Sequence, residues 1–216
     1  MFGVIFVLTG MNFNHFNYLI MRKISFLLTF LALYMSLMAA DIPKSWYKLS
    51  DDGKSLKIWK IERPVIDMQS ENAFNKLTSI GKMAFCNLRS LETVILPASV
   101  ISIEQSAFEY CIGLTSFTSP SKLENIGKSA FSKSTSLRTV KLGALVTKIG
   151  DSAFAGCTAL AEIMSENPIP PSVETNTFDY VDNETCVLDV PKGSKAKYCV
   201  DVGWHEFTTM VEQHRP

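Results

Sequence analysis

A phrase that repeats every 23 residues constrains the fold of this 216-residue chain more than any other feature. The phrase contains an Ala-Phe pair, and the apolar residues around it fall into five columns that share one register. The pairs are Ala84-Phe85, Ala107-Phe108, Ala130-Phe131 and Ala153-Phe154, and the other columns include Ile80, Ile103, Ile126 and Ile149, and Leu91, Leu114, Leu137 and Leu160. A fixed period in the twenties indicates a solenoid, because one short unit buries its apolar face only against copies of itself.

Each repeat divides into a strand and a turn. Residues 91–96 follow the leucine-rich spacing L-x-x-L-x-L, and all copies of this segment are predicted to pair as parallel strands on one face. The phrase Ile-Gly-x-x-Ala-Phe predicts a tight turn with at most one helical turn. Gly81, Gly127 and Gly150 are expected to take a left-handed conformation there, which side chains resist. Glu104 stands at this place in the second repeat and departs from the pattern.

The residue types at the repeat positions indicate a particular kind of repeat more specifically than the period does. The residues that carry it are Leu96-Pro97-Ala98-Ser99-Val100, Ser106-Ala107-Phe108 and Cys111, with copies at 126–131 and 149–157, and the tail segments 167–171 and 190–194. Together they resemble the BspA-type leucine-rich repeat of bacterial surface and secreted proteins, over residues 49–211. The resemblance implies a leucine-rich repeat solenoid of the β-rich α/β class. Its expected parts are a parallel sheet of short strands with tight turns or single helical turns opposite, a β-hairpin N-cap and an irregular C-terminal cap.

Five segments follow from the pattern. We interpret residues 1–20 as an over-extended start and 21–40 as a signal peptide, because the basic pair Arg22-Lys23 precedes a short apolar run and a small-residue exit. A membrane anchor is the alternative, although polar residues interrupt the apolar run. Residues 41–72 form an N-terminal cap, 73–171 the repeats, and 172–216 a terminal irregular repeat and C-terminal cap.

The caps are predicted from their aromatic and β-prone residues. Residues 46–49 and 56–61 read as a hairpin, and Trp46, Tyr47 and Trp59 as a lid on the first coil. At the other end, residues 187–190 are expected to be the last strand and 195–202 a short helix. Trp204 and Phe207 would then close the core. The prolines at 168, 170 and 171 are expected to interrupt the ladder because they lack an N–H donor.

Composition and motifs exclude several function classes. The 21 basic and 21 acidic residues give no field for nucleic acid, and the mature chain, without Arg22 and Lys23, has a net charge near −2. The two histidines beyond the leader, His205 and His214, lie in the tail, and no G-x-S-x-G, H-E-x-x-H or phosphate-binding loop occurs. A pair of carboxylates could form a hydrolase site, but the acidic residues of the repeats fall at different repeat positions. We therefore predict a monomeric non-enzyme without catalytic residues, metal or cofactor, and without a membrane span in the mature chain.

The cysteines read as core residues rather than metal ligands. Cys111 and Cys157 hold one repeat position two coils apart, about 9–10 Å at the strand spacing of a sheet, which is too far for a disulfide. They are predicted to be buried thiols. Cys186 and Cys199 remain open as the one plausible bridge, since export permits disulfides.

The candidate binding surface follows from strand alternation. Side chains that flank the inward residues of each strand must point to the open face. These candidate residues are Thr93, Ile95, Ser116, Thr118, Thr139, Lys141, Glu162 and Met164. They would form two columns in which Ile95 and Met164 offer apolar contacts and Lys141 and Glu162 set orientation, and no small-molecule pocket is expected there.

Two functions from different classes remain open at this point. The first is an exported binding or adhesion module that engages a protein or glycan partner through this concave surface. The second is a structural or assembly component of the bacterial cell envelope without a dedicated ligand, while an ordinary solvated sheet face is the plain reading of the same residues. The expected location is secreted or on the cell surface, with the periplasm as a further option.

Overall fold

The computed structural model of the protein describes residues 42–69 and 71–213. The chain divides into two units, Met1–Ile42 and Pro43–Pro216, and the fold described below is that of the second. The interpretations of residues 1–20 and 21–40, as an over-extended start and a signal peptide, lie outside the described residues.

Short strands make up most of the regular structure in this part of the chain. They are β1 (Tyr47–Leu49), β2 (Ser55–Trp59), β3 (Val65–Asp67), β4 (Ser79–Ile80), β5 (Thr93–Ile95), β6 (Ser102–Ile103), β7 (Ser116–Thr118), β8 (Asn125–Ile126), β9 (Thr139–Leu142), β10 (Lys148–Ile149), β11 (Glu162–Ser165), β12 (Val187–Val190) and β13 (Thr209–Glu212). One helix, α1, spans Lys195–Val200, and single 3-10 turns occur at Lys44–Trp46 and Asn72–Phe74. The short helix predicted for residues 195–202 is confirmed, with an earlier end.

The strands form two long sheets and one short pair. Sheet A has the order β1-β2-β4-β6-β8-β10, and sheet B has the order β13-β12-β11-β9-β7. The pairs are parallel except for the antiparallel hairpin of β1 and β2. The predicted solenoid with a hairpin N-cap is therefore confirmed, and the turns between strands contain almost no helix.

A ladder of aromatic rings runs through the core. Phe131 is fully buried, and its ring stacks on Phe108 at 5.1 Å and on Phe154 at 5.3 Å between centroids, with interplanar angles of 2° and 3°. Trp59 packs on Phe85 at the first end, and Trp204 on Phe178 at the last. Because the coils repeat with one register, identical rings lie one above another. At the first end the series continues past Trp59 to Tyr47, whose ring stacks on Trp59 with centroids 6.1 Å apart.

The backbone conformation of the turn glycines differs from the prediction. Gly81, Gly127 and Gly150 do not lie in the left-handed region. A Cβ at Gly150 would stand 2.7 Å from Lys128 N, and one at Gly127 would stand 2.8 Å from Glu104 C, so these positions exclude side chains by close approach of the neighbouring coil. The left-handed residues lie two places later, at Met83, Ser106, Ser129 and Ser152.

Glu104 replaces the glycine in this column and bonds to the preceding coil. Its Oε1 accepts a hydrogen bond from Ser79 Oγ at 2.6 Å, and its Oε2 accepts one from Lys82 N at 3.1 Å. The departure from the glycine pattern therefore supplies a polar tie between two coils.

Three buried side chains at one repeat position donate to the coil before them. Cys111 Sγ donates to Phe85 O at 3.1 Å, Ser134 Oγ to Phe108 O at 3.1 Å, and Cys157 Sγ to Phe131 O at 3.2 Å. Burial raises the pKa of both thiols to about 12. The prediction of buried core thiols is confirmed, and their chemical role is to satisfy a backbone carbonyl. Cys186 and Cys199 are free, so the bridge left open by the sequence does not form.

The C-terminal cap contains a strand that the sequence did not predict. Residues 187–190 form β12 but are not the last strand, since β13 pairs with β12 in parallel beyond it. Lys195 Nζ donates to Met210 O at 2.7 Å, and Trp204 Nε1 donates to Pro171 O at 2.7 Å. Tyr198 is buried, and its hydroxyl donates to Asn167 O at 2.8 Å. Polar groups at the end of the solenoid are thus bonded, as burial requires.

The prolines interrupt only one of the two sheets. Sheet A ends at β10, and the next coil contributes a single parallel bridge between Lys148 and Ser172. Sheet B continues through β12 and β13. The predicted interruption of the ladder is confirmed for sheet A and wrong for sheet B, because the prolines lie beyond β11 and leave its bonds in place.

The prediction that all repeat strands pair with one another fails at one place. β5 pairs with β3 and β7 pairs with β9, but β5 and β7 form no ladder. The inward residue of β7 is Phe117, whereas its counterparts are the smaller Val94 and Val140. The Phe117 ring packs on Phe131 with centroids 4.6 Å apart. We attribute the gap to this larger side chain, since well-packed interiors respond to added volume by moving the backbone.

Candidate binding surface

The structure places the eight candidate residues in two columns on the outer face of sheet B and of the β3–β5 pair. Ser116, Thr139 and Glu162 are register partners in one column, and Thr118, Lys141 and Met164 are partners in the other. The two remaining candidates, Thr93 and Ile95, lie on β5, where they pair with Val65 and Asp67. Six of the eight residues therefore form a continuous patch, and the other two lie across the gap.

Exposure differs along these columns. Ser116, Thr118 and Ile95 are exposed, and 37% of Ile95 is accessible. Thr93, Thr139, Lys141, Glu162 and Met164 are half-buried. Met164 is thus a less accessible apolar contact than the sequence indicated, because it lies between β9 and β12 within the sheet.

Lys141 has an ionic partner that the sequence did not indicate. Its Nζ lies 2.8 Å from Glu166 Oε1, and both side chains are about one-third accessible. Glu166 follows β11 directly, so it reaches back across one coil to β9. The pair holds the lysine in a fixed position, and at such exposure it contributes little to stability.

The same face extends further than predicted. The outward residues of β12 and β13 pair in register, Val187 with Thr209 and Asp189 with Val211. Val187 and Asp189 could have been found from the predicted strand at residues 187–190. Residues 209–212 belong to no 23-residue phrase, and only their backbone bonds to β12 show them to be a strand.

A cavity opens where the ladder between β5 and β7 is missing. Its volume is about 170 Å³, and it is lined by Gln69, Thr93, Val94, Ile95, Leu96, Ser116, Thr118, Ser119 and Pro120. Four of the candidate residues are among these. No small-molecule pocket is expected on this face from the sequence, since a repeat whose spacing stays at 23 residues gives no sign of a cavity where a ladder is missing.

Metal-binding clusters and membrane-spanning helices are both absent from the described residues. Within residues 42–69 and 71–213, no cluster of three or more His, Cys, Asp or Glu side chains is placed to hold a metal ion. No helix in this part of the chain is both long and apolar enough to span a membrane.

The repeat matches a known family. A model of the BspA type leucine rich repeat region matches residues 66–184, in six copies. The chain belongs to the BspA-type leucine-rich repeat family. The match begins in β3, within the predicted N-terminal cap, and extends past the Ala-Phe repeats into the C-terminal irregular coil. The resemblance that the sequence indicated is thereby confirmed.

Several solved structures are similar to this BspA-type protein. The pneumococcal vaccine antigen PcpA matches with a TM-score of 0.59 and 19% identity, over 77% of this chain and 46% of PcpA. A leucine-rich repeat protein of T. pallidum matches with a TM-score of 0.47 and 22% identity, over 58% and 71% of the two chains. One from Bacteroides ovatus ATCC 8483 has a TM-score of 0.46 and 21% identity, over 71% and 48%.

The match to PcpA bears on the fold alone. At such low identity the PcpA match supports the solenoid architecture, and this chain spans less than half of PcpA. No match was found among curated proteins. The family and its similar structures are repeat proteins, and a parallel sheet with a regular outer face is suited to binding.

Proposed function

We propose that the protein is an exported, non-enzymatic binding module that engages a protein or glycan partner through the outer face of sheet B. The observation that carries the proposal is the register of β7, β9 and β11, which sets hydroxyl, amine, carboxylate and thioether groups in two straight columns. A regular array of this kind presents many weak contacts over a wide area, as binding surfaces of repeat proteins do.

The chemistry of the columns favours a polar, neutral-to-mixed partner surface. Four of the six residues in the continuous patch carry no charge, and Lys141 is already neutralised by Glu166. Such a face lacks the field that steers nucleic acid or an anionic membrane. A protein or glycan surface with its own hydrogen-bonding groups is the partner that fits.

A capture experiment with a matched control tests this proposal. The full chain is immobilised and exposed to proteins and glycans of host and neighbouring cells, in parallel with a variant that carries Lys141→Glu, Thr118→Arg and Ile95→Asp. We expect a saturable partner that the triple variant no longer binds. The control carries the same kinds of change on the other side, Lys148→Glu, Asn125→Arg and Ile101→Asp, and should bind as the wild type does.

Other outcomes point elsewhere. If the folded triple variant binds like the wild type, the outer face of sheet B is not the site. If no saturable partner is captured and the protein co-fractionates with the envelope, the role as a structural or assembly component is supported instead. Sequencing of the mature N-terminus and comparison of secreted, surface and periplasmic fractions test export.

A further inference from the structure

The gap between β5 and β7 is a wedge that closes at one end. Thr115 N donates to Glu92 O at 3.1 Å, so the two coils are bonded just before the strands begin. Beyond the strands, neighbouring pairs are tied again, by Ser119 N to Lys141 O at 2.9 Å and by Met68 N to Ile95 O at 3.0 Å. Among the described residues, Leu96 N has no such bond to Thr118 O. The wedge therefore opens toward Leu96 and Ser119.

Gln69 stands at the open end of this wedge and also lines a second cavity. Its Nε2 donates to Leu96 O at 3.2 Å, which covers a carbonyl on the wall of the wedge. The second cavity measures about 360 Å³ and is lined by Gln69, Asn75, Pro97, Ala98 and Ser99. Gln69 thus contributes to two adjacent cavities, which we name the wedge and the side cavity.

The groups in these cavities select a chemical class of ligand. None of the lining residues of either cavity is charged. Hydroxyls from Thr93, Ser116 and Thr118 line the wedge, and hydroxyls both donate and accept hydrogen bonds. Strand backbones outside a ladder offer N–H and C=O groups of the same two kinds. A ligand that carries many hydroxyls on a small carbon frame satisfies both, with Ile95 as an apolar contact.

Size and charge narrow the class further. The wedge, at 170 Å³, is smaller than the roughly 300–1,000 Å³ of drug-sized pockets, so it holds one ring rather than a large molecule.

Asp67 lies beside Ile95 in the strand pair, and its Oδ1 accepts a hydrogen bond from Gln69 N at 2.9 Å. A carboxylate there disfavours anions. An extended peptide would bind as an added strand about 4.8 Å from each neighbour, whereas the bond from Thr115 N to Glu92 O holds the starts of β5 and β7 too close together for a strand to lie between them.

We propose that the wedge and the side cavity, joined at Gln69, bind an uncharged saccharide of two or more units, with one ring in the wedge. This inference rests on the proposed function, and of the two partner classes named there, protein and glycan, it selects the glycan. The rest of the glycan would continue over the side cavity, past Pro97 and Ser99.

Titration of the ¹⁵N-labelled full chain tests the proposal. The probes are cellobiose, lactose and N,N′-diacetylchitobiose, with glucuronate as a charged comparison and sorbitol as an acyclic polyol. We expect saturable shifts for at least one disaccharide, with a dissociation constant of about 1 mM or below. The shifts should concentrate at the amides of Gln69, Thr93, Ser116 and Thr118, and glucuronate and sorbitol should cause none that saturate.

Matched variants separate the wedge from the rest of the face. Thr93→Val removes a hydroxyl from the wedge, and Thr139→Val removes the corresponding half-buried hydroxyl from the intact sheet. Gln69→Glu adds charge at the shared wall. Its control is Gln213→Glu, since Gln213 Nε2 also donates to a backbone carbonyl, Ser165 O, at 3.1 Å. We expect affinity to fall about tenfold in each wedge variant and to change less than about twofold in each control.

The outcomes decide the proposal separately from the proposed function. Absence of saturable shifts with every disaccharide overturns it, as do shifts that both wedge variants leave unchanged or equal binding of glucuronate. Thr93→Val, which only replaces a hydroxyl by a methyl, keeps the test valid if Gln69→Glu disturbs the fold. Loss of a captured partner in the triple variant, together with no disaccharide binding, would leave the proposed function standing and remove the wedge as a site.

Discussion

Sheets A and B run along the same solenoid, yet one is unbroken across the repeats and the other is split. Sheet A joins β2, β4, β6, β8 and β10 without a gap, and its inward residues in the four repeats are Ile80, Ile103, Ile126 and Ile149. The equivalent residues on the other side are Val94, Phe117, Val140 and Ile163. The ladder is absent between the strands of Val94 and Phe117 but present between those of Phe117 and Val140. A column of identical side chains keeps neighbouring coils at one spacing, whereas one larger side chain changes that spacing locally.

The two sheets also differ in where the proposed ligand site lies: the regular sheet A is not part of it, and the irregular place beside β5 and β7 is. Sheet A shows what the repeat builds when every copy carries the same inward side chain. The one irregular rung of the other sheet is where hydroxyls, a glutamine and backbone groups meet. Four changes test how far this comparison holds.

Loss of the C-terminal cap should have the largest effect. Removing all residues after Ser165 leaves the six strands of sheet A but deletes β12, β13 and α1, which exposes a long edge of sheet B and the end of the aromatic ladder. We expect an aggregated or dimeric product. Size-exclusion chromatography measures it, and a soluble folded monomer would contradict the expectation.

Truncating the aromatic ladder should destabilise both sheets, because its rings lie in the core between them. Phe131→Ala removes a fully buried ring that stacks on two others, and we expect unfolding free energy to fall by about 3–5 kcal/mol. Chemical denaturation gives the value. Phe108→Ala, at the same repeat position, is the companion variant, and losses below about 1 kcal/mol for both would mean that the ladder is not the core.

Replacing the residue at the gap should repair the irregular rung. Phe117→Val gives the column of β7 the side chain found in β5 and β9. We expect a loss of about 1–3 kcal/mol from reduced burial, together with slower hydrogen exchange of β5 and β7 amides as a ladder forms between them. Val140→Ala, a truncation in an intact rung, serves as the control and should not slow exchange. Unchanged exchange in Phe117→Val would show that the ring does not cause the gap.

The smallest effect concerns a charged tie at the end of sheet B. Backbone N–H groups of Lys195 and Gly193 donate to Glu212 and hold the pKa of its carboxyl below the ordinary value of 4.5. A lowered pKa means that the stabilisation is present above about pH 4.5 and is lost as the pH falls through the folded-state value. Glu212→Gln should therefore melt lower than wild type at neutral pH, by about 2 °C at most, and this difference should vanish in acid.

The thermal scan has an internal check. Glu206→Gln, at an exposed acid of the same cap, is the matched variant and should show a smaller difference at neutral pH. If the difference in melting temperature between Glu212→Gln and wild type persists below about pH 3, the ionised carboxyl is not its source.

Much of the candidate surface was predictable because strand alternation is a local rule. Once residues 91–96 are read as a strand, Thr93 and Ile95 must point away from the core, and every copy inherits the same assignment. The salt bridge of Lys141 to Glu166 and the outward residues of β13 were not predictable. Both depend on segments that lie outside the 23-residue phrase and meet the sheet only after the chain has folded.

The sequence by itself determined the coil, the identity of its buried columns and the side from which each strand faces outward. These follow from a period that forces like residues into the same environment. Only the tertiary structure decided why glycine is needed at Gly81 and its copies: the backbone of the neighbouring coil leaves no room for a side chain, and no left-handed dihedral angle is involved. It also decided that β5 and β7 stand apart beside Phe117. A ladder forms or fails with small changes in the distance between coils, and that distance is set by how side chains of different coils pack together.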